Sequence, residues 1–226
     1  MPLQVILMIF NTLAHQNSVA HWVRDHRLHH RYSDTDGDPH NASRGVFYCH
    51  IGWLLTSKSE EVIRRGKKID MSDIYNNPVL RFQDKYAFPF METVCFLLPA
   101  VVPAYFWGES FIIAYHVNMF RYVLNLQTSL CANSVSHMIG NRAYDKNILP
   151  TNNLLINVMA LGDGFHNFHH AFPWDFRSAE LGNNYFNITT WFIEFFAWIG
   201  LAYDLKATPA DIVQKRKERV GDGTYL

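Results

Sequence analysis

Three apolar stretches organise the chain, and polar residues interrupt each one differently. The first runs from about residue 3 to residue 22 and has no basic start and no small-residue cleavage pattern, so it does not read as a signal peptide. It can cross a bilayer if its polar positions face protein, and a chain that opens in mid-helix is expected to be a fragment. The second, about 86–107, carries one acid, Glu92, and prolines at 89, 99 and 103, which a membrane helix tolerates when neighbours satisfy the freed carbonyls. The third, about 110–132, is a polar variant, with His116, Asn118, Arg121, Asn125 and Gln127, and such a helix should face a protein interior or cavity. The pattern predicts an all-α, multi-span helical membrane protein forming one domain over residues 1–226, with spans at about 3–22, 86–107 and 110–132.

Charge orients these elements. The break at Gly108 holds no Lys or Arg, whereas residues 58–85 hold Lys58, Arg64, Arg65, Lys67, Lys68, Arg81 and Lys85, which places that segment in the cytosol. Because the second and third stretches form a hairpin, whatever precedes residue 86 and whatever follows residue 132 share that side. Residues 186–201 are dense in aromatics but carry Glu194 and are short for a span, so an interfacial or core helix is expected there. The basic run Lys215–Arg219 reads as a solvated or headgroup-facing helix end. Acidic and basic residues balance at 20 each, which gives no footprint for nucleic acid. The three cysteines, Cys49, Cys95 and Cys131, are far apart and argue against a disulfide framework or a zinc knuckle.

Histidine changes the picture more than any of this. His26-Arg-Leu-His29-His30 and His166-Asn-Phe-His169-His170 repeat one spacing, i, i+3 and i+4, which on a helix puts three imidazoles on one face within a turn. A single histidine such as His50 or His116 is usually structural; two copies of this spacing on one membrane face point to metal. Imidazole ligands without thiolate suit zinc, copper, iron or nickel, and six or more exceed what one tetrahedral zinc needs, so a dinuclear centre is the natural count.

The residues around these histidines resemble a known family. Trp22-Val-Arg-Asp-His-Arg-Leu-His-His-Arg-Tyr32, then Asp38-Pro-His-Asn41, Gly52-Trp-Leu-Leu55, Asn133-Ser-Val-Ser-His137, Tyr144-Asp-Lys-Asn147, Gly162-Asp-Gly-Phe-His-Asn-Phe-His-His170 and Gly200-Leu-Ala-Tyr-Asp204 are similar to the membrane acyl-CoA desaturases of the stearoyl-CoA, Δ9 type. The resemblance covers essentially the whole chain and is greatest to insect members, moth pheromone desaturases among them. It implies two iron ions held by nine histidines, of which this sequence supplies His26, His29, His30, His137, His166, His169 and His170, with Asn133 holding a metal-bound water. The remaining pair belongs to a first His-x4-His box expected upstream, together with a first transmembrane helix.

By the same resemblance, cytochrome b5 delivers two electrons, O2 is reduced, and a fatty acyl-CoA gains a cis double bond at the endoplasmic reticulum membrane, with the histidines in a cytosolic helical region. Asn17, Arg24, Asp25 and Lys58 match positions that contact the CoA part, and Gln16 and Trp22 match residues at the bend of the acyl tunnel. Ser129 and Leu130 stand where the family has a Thr-Trp pair, and Ser57 stands where an arginine is usual, so tunnel width and CoA grip are expected to differ. The sequons at Asn41 and Asn187 fall on the cytosolic side and should carry no glycan. Two other readings share these residues: a truncated, inactive membrane protein, or the same metal site performing hydroxylation, acetylenation or conjugated-diene formation.

Overall fold

The computed structural model describes residues 2–180 and 186–224. In chain order the helices are α1 (Pro2–Ala14), α2 (Val19–Tyr32), α3 (Val46–His50), α4 (Glu60–Gly66), α5 (Ser72–Tyr75), α6 (Pro78–Lys85), α7 (Ala87–Trp107), α8 (Phe111–Met138), α9 (Leu154–Met159), α10 (His166–Ala171), α11 (Ile188–Trp198) and α12 (Ala210–Val220). Among the described residues no strand forms, and two isolated bridges, Asn141 with Asn152 and Asn152 with Phe165, are the only β pairings. The chain divides into two compact units, residues 1–31 with 59–127 and residues 32–58 with 128–226.

The first unit holds the apolar helices. Among the described residues, α7 is the one helix long and apolar enough to cross a membrane. The sequence predicted it over 86–107, and it forms over 87–107 with a π turn at Thr93–Leu97. The proline pattern explains how it is held. Pro99 has no N–H to offer the carbonyl of Cys95, and that carbonyl accepts from Asn118 Nδ2 at 2.8 Å and Arg121 Nη2 at 3.3 Å, both on α8. Arg121 also donates to the carbonyl of Leu13 at the end of α1, at 3.3 Å. Two of the polar residues that marked the third stretch thus serve carbonyls at a helix end and beside a proline. The helix α8 itself continues six residues past the expected 132, to Met138.

The expected continuous stretch over 3–22 is instead two helices. His15 and Asn17 adopt φ of 54° and 68°, and helix resumes at Val19. At 13 residues α1 is about 20 Å long, short of the bilayer's apolar core. The break follows from the polar run His15-Gln-Asn-Ser18, whose side chains compete with the backbone for hydrogen bonds. Beyond it, α2 packs Ala20 against Met71 and Ile74, with Val23, Ile69 and Leu80 around them. Arg27 then clamps α2 to α5 through two bonds to Asp73, 2.8 and 2.7 Å.

The second unit has its core in Ala143, Tyr144, Phe165, Phe168, Ala171, Phe172, Ala179 and Val213. Phe168 and Phe172 lie edge-on or tilted to Tyr144 and to each other, at centroid distances of 5.0–6.3 Å. Gly164 admits no side chain, because a Cβ there would lie 2.1 Å from the amide nitrogen of Asn157. In α11 the buried residue is Thr190, while Trp191, Phe195 and Trp198 are exposed, Trp198 by 81%. Of the two expectations for residues 186–201, core or interfacial, the exposed aromatics do not fit a core helix.

Candidate metal centre

On α2 the cluster arises from helix geometry alone. His26 and His30 are one turn apart with Nε2 atoms 3.1 Å from each other, and His29 is buried. The ring of Trp22 stacks on His26 at 4.6 Å, which fixes the imidazole plane from the preceding turn. Asp25 is buried on the same helix and pairs with His21 at 3.3 Å and Arg24 at 3.7 Å.

The second cluster sits on a helix of six residues, too short to persist unaided. Asparagines hold it. Asn152 Oδ1 accepts from the backbone amides of Asn167 and Phe168, at 3.2 and 3.4 Å, so a residue from a distant loop caps the first turn of α10. Asn167 is fully buried and uses all four of its hydrogen-bonding positions: Oδ1 accepts from Tyr144 N and Asp145 N, and Nδ2 donates to the carbonyls of Asp145 and Pro150, all within 3.1 Å. The outcome matches α2, for His166 and His170 place their Nε2 atoms 3.2 Å apart. His169 is half-buried on the same turn.

His137, near the end of α8, joins this cluster. It is buried, its ring lies 5.0 Å from that of His166 and 5.3 Å from that of His170, and one ring nitrogen of each of the three lies within 4.8 Å of the others. Its Nδ1–H donates to the carboxylate of Asp34, at 3.1 and 3.2 Å to the two oxygens, which leaves Nε2 as the ligating atom. Burial holds the His137 imidazole below the usual histidine value, hence neutral as a ligand must be, and outweighs the Asp34 contact. Burial raises Asp34, but the bonds from His137, Ser33 and the amide of Ala42 outweigh it and keep the carboxylate ionised below its ordinary range. An ionised carboxylate behind a neutral imidazole is the arrangement that orients a metal-binding histidine. The neighbouring Asp38 is different: burial pushes it up to about 7, against two backbone amides that favour its charge. It accepts from Asp34 N at 2.8 Å and His40 N at 3.1 Å and so folds the loop that presents Asp34.

The donor set fits a metal: imidazoles in close register, one of them held neutral by burial with a carboxylate behind it. Asp34 was not singled out in the sequence, and with 103 residues between it and His137 no local spacing could reveal the pair. Asn133 is half-buried one turn before His137. His50 bonds through Nδ1 to Ser134 Oγ at 2.9 Å, and His116 bonds through Nδ1 to the carbonyl of Ile112 at 2.7 Å.

The expected substrate residues fall in different places. Asn17 and Arg24 line one cleft of about 330 Å³ in the first unit, with Ser18, His21, Tyr75 and Asp84 among its walls. Gln16 lies in the break between α1 and α2, and Trp22 projects from α2 with its ring on His26. Lys58, Ser129 and Leu130 belong to the second unit, where Leu130 is buried and the other two are half-buried. Asn41 and Asn187 are both buried and bonded: Asn41 Oδ1 accepts from Ser43 N, and Asn187 accepts from Thr190 N and donates to the carbonyl of Arg177. Neither side chain is presented for glycosylation.

Fold and site together define a helical protein whose histidine clusters can hold metal. The family model for fatty acid desaturases matches residues 3–182, and the chain belongs to that family of membrane-bound oxidoreductases. It is 59% identical over 226 residues to an acyl-CoA Delta(11) desaturase of Spodoptera littoralis, covering 100% of this chain and 67% of the relative. It is 54% identical over 225 residues to an (11Z)-hexadec-11-enoyl-CoA conjugase of Bombyx mori, covering 100% and 68%, and 48% identical over 225 residues to stearoyl-CoA desaturase 5 of Bos taurus, covering 99% and 67%. The chain therefore spans about two thirds of the length of these curated relatives.

Proposed function

We propose that this chain supplies most of the metal site and part of the substrate site of an acyl-CoA desaturase, which introduces a cis double bond into a fatty acyl-CoA with O2 and two electrons from cytochrome b5. The observation that carries the reading is the neutral His137, oriented by ionised Asp34 beside His166 and His170, within a chain 59% identical to an acyl-CoA Delta(11) desaturase. In this reading His26, His29, His30, His137, His166, His169 and His170 hold two iron ions, with Asn133 acting through a water. Iron supplies the O2 chemistry that takes hydrogen from an unactivated methylene, which no side chain can do.

The chain's own residues place the substrate. Arg24 and Asn17, in one cleft, suit the phosphates and amides of CoA, and a guanidinium suits phosphate better than an ammonium does. Asp25 pairs with Arg24 and His21 on the same helix and sets the guanidinium's direction. Lys58 adds a second cation toward CoA. Gln16, Trp22, Ser129 and Leu130 line the acyl chain and exclude water from it. The helices α1, α7 and α8 are embedded in the endoplasmic reticulum membrane, with both histidine clusters on the cytosolic side and the exposed aromatics of α11 at the interface.

Expression of the full-length protein in a yeast lacking its own desaturase tests this, with double-bond positions read from the lipids. New cis-unsaturated acyl chains are expected, and the Delta(11) names of relatives at 59% identity make Δ11 the first position to look. No new unsaturation at full iron occupancy would refute the reading. The conjugase relative at 54% identity favours one second reading, formation of a conjugated diene from a monounsaturated acyl-CoA, which the same lipid profile would reveal.

A further inference from the structure

Gln83, on α6, is fully buried and belongs neither to the histidine clusters nor to the cleft. Its Oε1 accepts from the amide of Val19, the first residue of α2, at 2.9 Å. Its Nε2 donates to Asn11 Oδ1 at 2.7 Å and to Thr12 Oγ1 at 2.9 Å, both in the last turn of α1. One side chain therefore ties the end of one helix to the start of the next. Between them lie His15 and Asn17, two non-glycine residues in the left-handed region, a conformation that persists only where surrounding contacts over-determine it. Those contacts are present: the His15 ring packs on Phe96 and Tyr122 at 4.9 and 5.7 Å, its Nε2 meets Glu92 at 3.1 Å, and Ser18 Oγ donates to Asp84 at 2.6 Å.

The position of the break matters because of what α2 carries. His21 and Arg24 form part of the cleft wall, and His26, His29 and His30 follow within two turns on the same rigid helix. A slip of α2 by one residue at its origin moves everything on it by about 1.5 Å along the axis and turns it by about 100°. That displacement is of the order of the spacing between successive methylenes of an extended acyl chain. We propose that Gln83 is a positioning residue: by splicing α1 to α2 across the strained break it sets the register of α2, and so helps decide which carbon of the acyl chain reacts. This rests on the desaturase reading above.

The test uses the full-length protein in desaturase-deficient yeast and, in parallel, purified for amide hydrogen exchange. Gln83→Met keeps the volume and removes all three bonds. The expected result is at least tenfold faster exchange at Val19, a spread of double bonds over more than one position, lower turnover per iron, and partial loss of iron, because His26, His29 and His30 move with α2. Gln83→Glu keeps the acceptor for Val19 and loses both donors, so its exchange and product ratio should fall between the two. If Gln83→Met fails to accumulate, His15→Phe, which keeps the ring and deletes the Glu92 contact, is expected to shift both readouts in the same direction by less. Unchanged exchange at residues 13–22 together with the parental product ratio would overturn the proposal. Absence of unsaturation from the unsubstituted protein would instead count against the desaturase reading, and the exchange comparison would still decide whether Gln83 holds the break.

Discussion

The two histidine clusters share a spacing and reach the same local geometry by different physics. On α2, 14 residues of helix place His26 and His30 in contact, and the tertiary support comes from the small core at Ala20, Met71 and Ile74, the exposed Arg27–Asp73 pair and one bond from Val19 to Gln83 at the helix start. On α10, six residues could not hold a helical turn in water, and the support is internal, from Asn152 at the helix start and Asn167 with every hydrogen-bonding position used. The Nε2 separations are nonetheless 3.1 and 3.2 Å. A motif of identical spacing can therefore owe its helical turn to helix continuity in one place and to buried side-chain hydrogen bonds in another.

Substitutions that separate these two kinds of support should give unequal losses. The largest effect is expected for Asn167→Ala, which strands four buried backbone groups; destabilisation of about 4 kcal/mol or more, with loss of metal, should appear in thermal unfolding and metal analysis of the purified full-length protein. Asp34→Asn comes next. It leaves His137 in place but weakens the partner behind it, so metal affinity measured by chelator competition should fall about 10- to 100-fold with little change in helix content.

A smaller effect concerns the frame around α10. Asp175 is buried; burial pushes its carboxyl up, but Arg177 and the amides of Thr208 and Arg177 outweigh this and hold it below the usual range. Its contribution is therefore complete above the ordinary carboxylate value and is lost as pH falls through the lower folded value. Asp175→Asn should cost about 1–2 kcal/mol at neutral pH and flatten the acid side of the stability profile, followed by circular dichroism. Arg27→Ala, at an exposed pair, should cost about 0.5–1 kcal/mol and leave metal content unchanged. Equal losses from Asn167→Ala and Arg27→Ala would break the contrast between the two clusters.

How much of this was legible beforehand follows the same division. The clusters and the helix over 87–107 were readable because periodic apolar positions and i, i+3, i+4 spacing are local properties. The break at residues 15–18 was not, since the left-handed residues there are His15 and Asn17, with no glycine or proline to mark the turn. The partners that orient the site were also hidden: Asp34 acts on His137 from 103 residues away, and Gln83 acts on Val19 from 64 residues away. The polar residues of the third stretch lay between these cases. Their need for partners could be argued from composition, but that Asn118 and Arg121 would serve the carbonyl opposite Pro99 depended on the fold.

Whether the seven histidines of this chain serve the proposed two-iron centre is decided by metal analysis with Mössbauer spectroscopy on the full-length protein, purified with and without His137→Ala. Two irons per chain in coupled, nitrogen-rich sites are expected, with iron lost on substitution of His137. One metal per chain, or zinc in place of iron with no change on that substitution, would contradict the proposal.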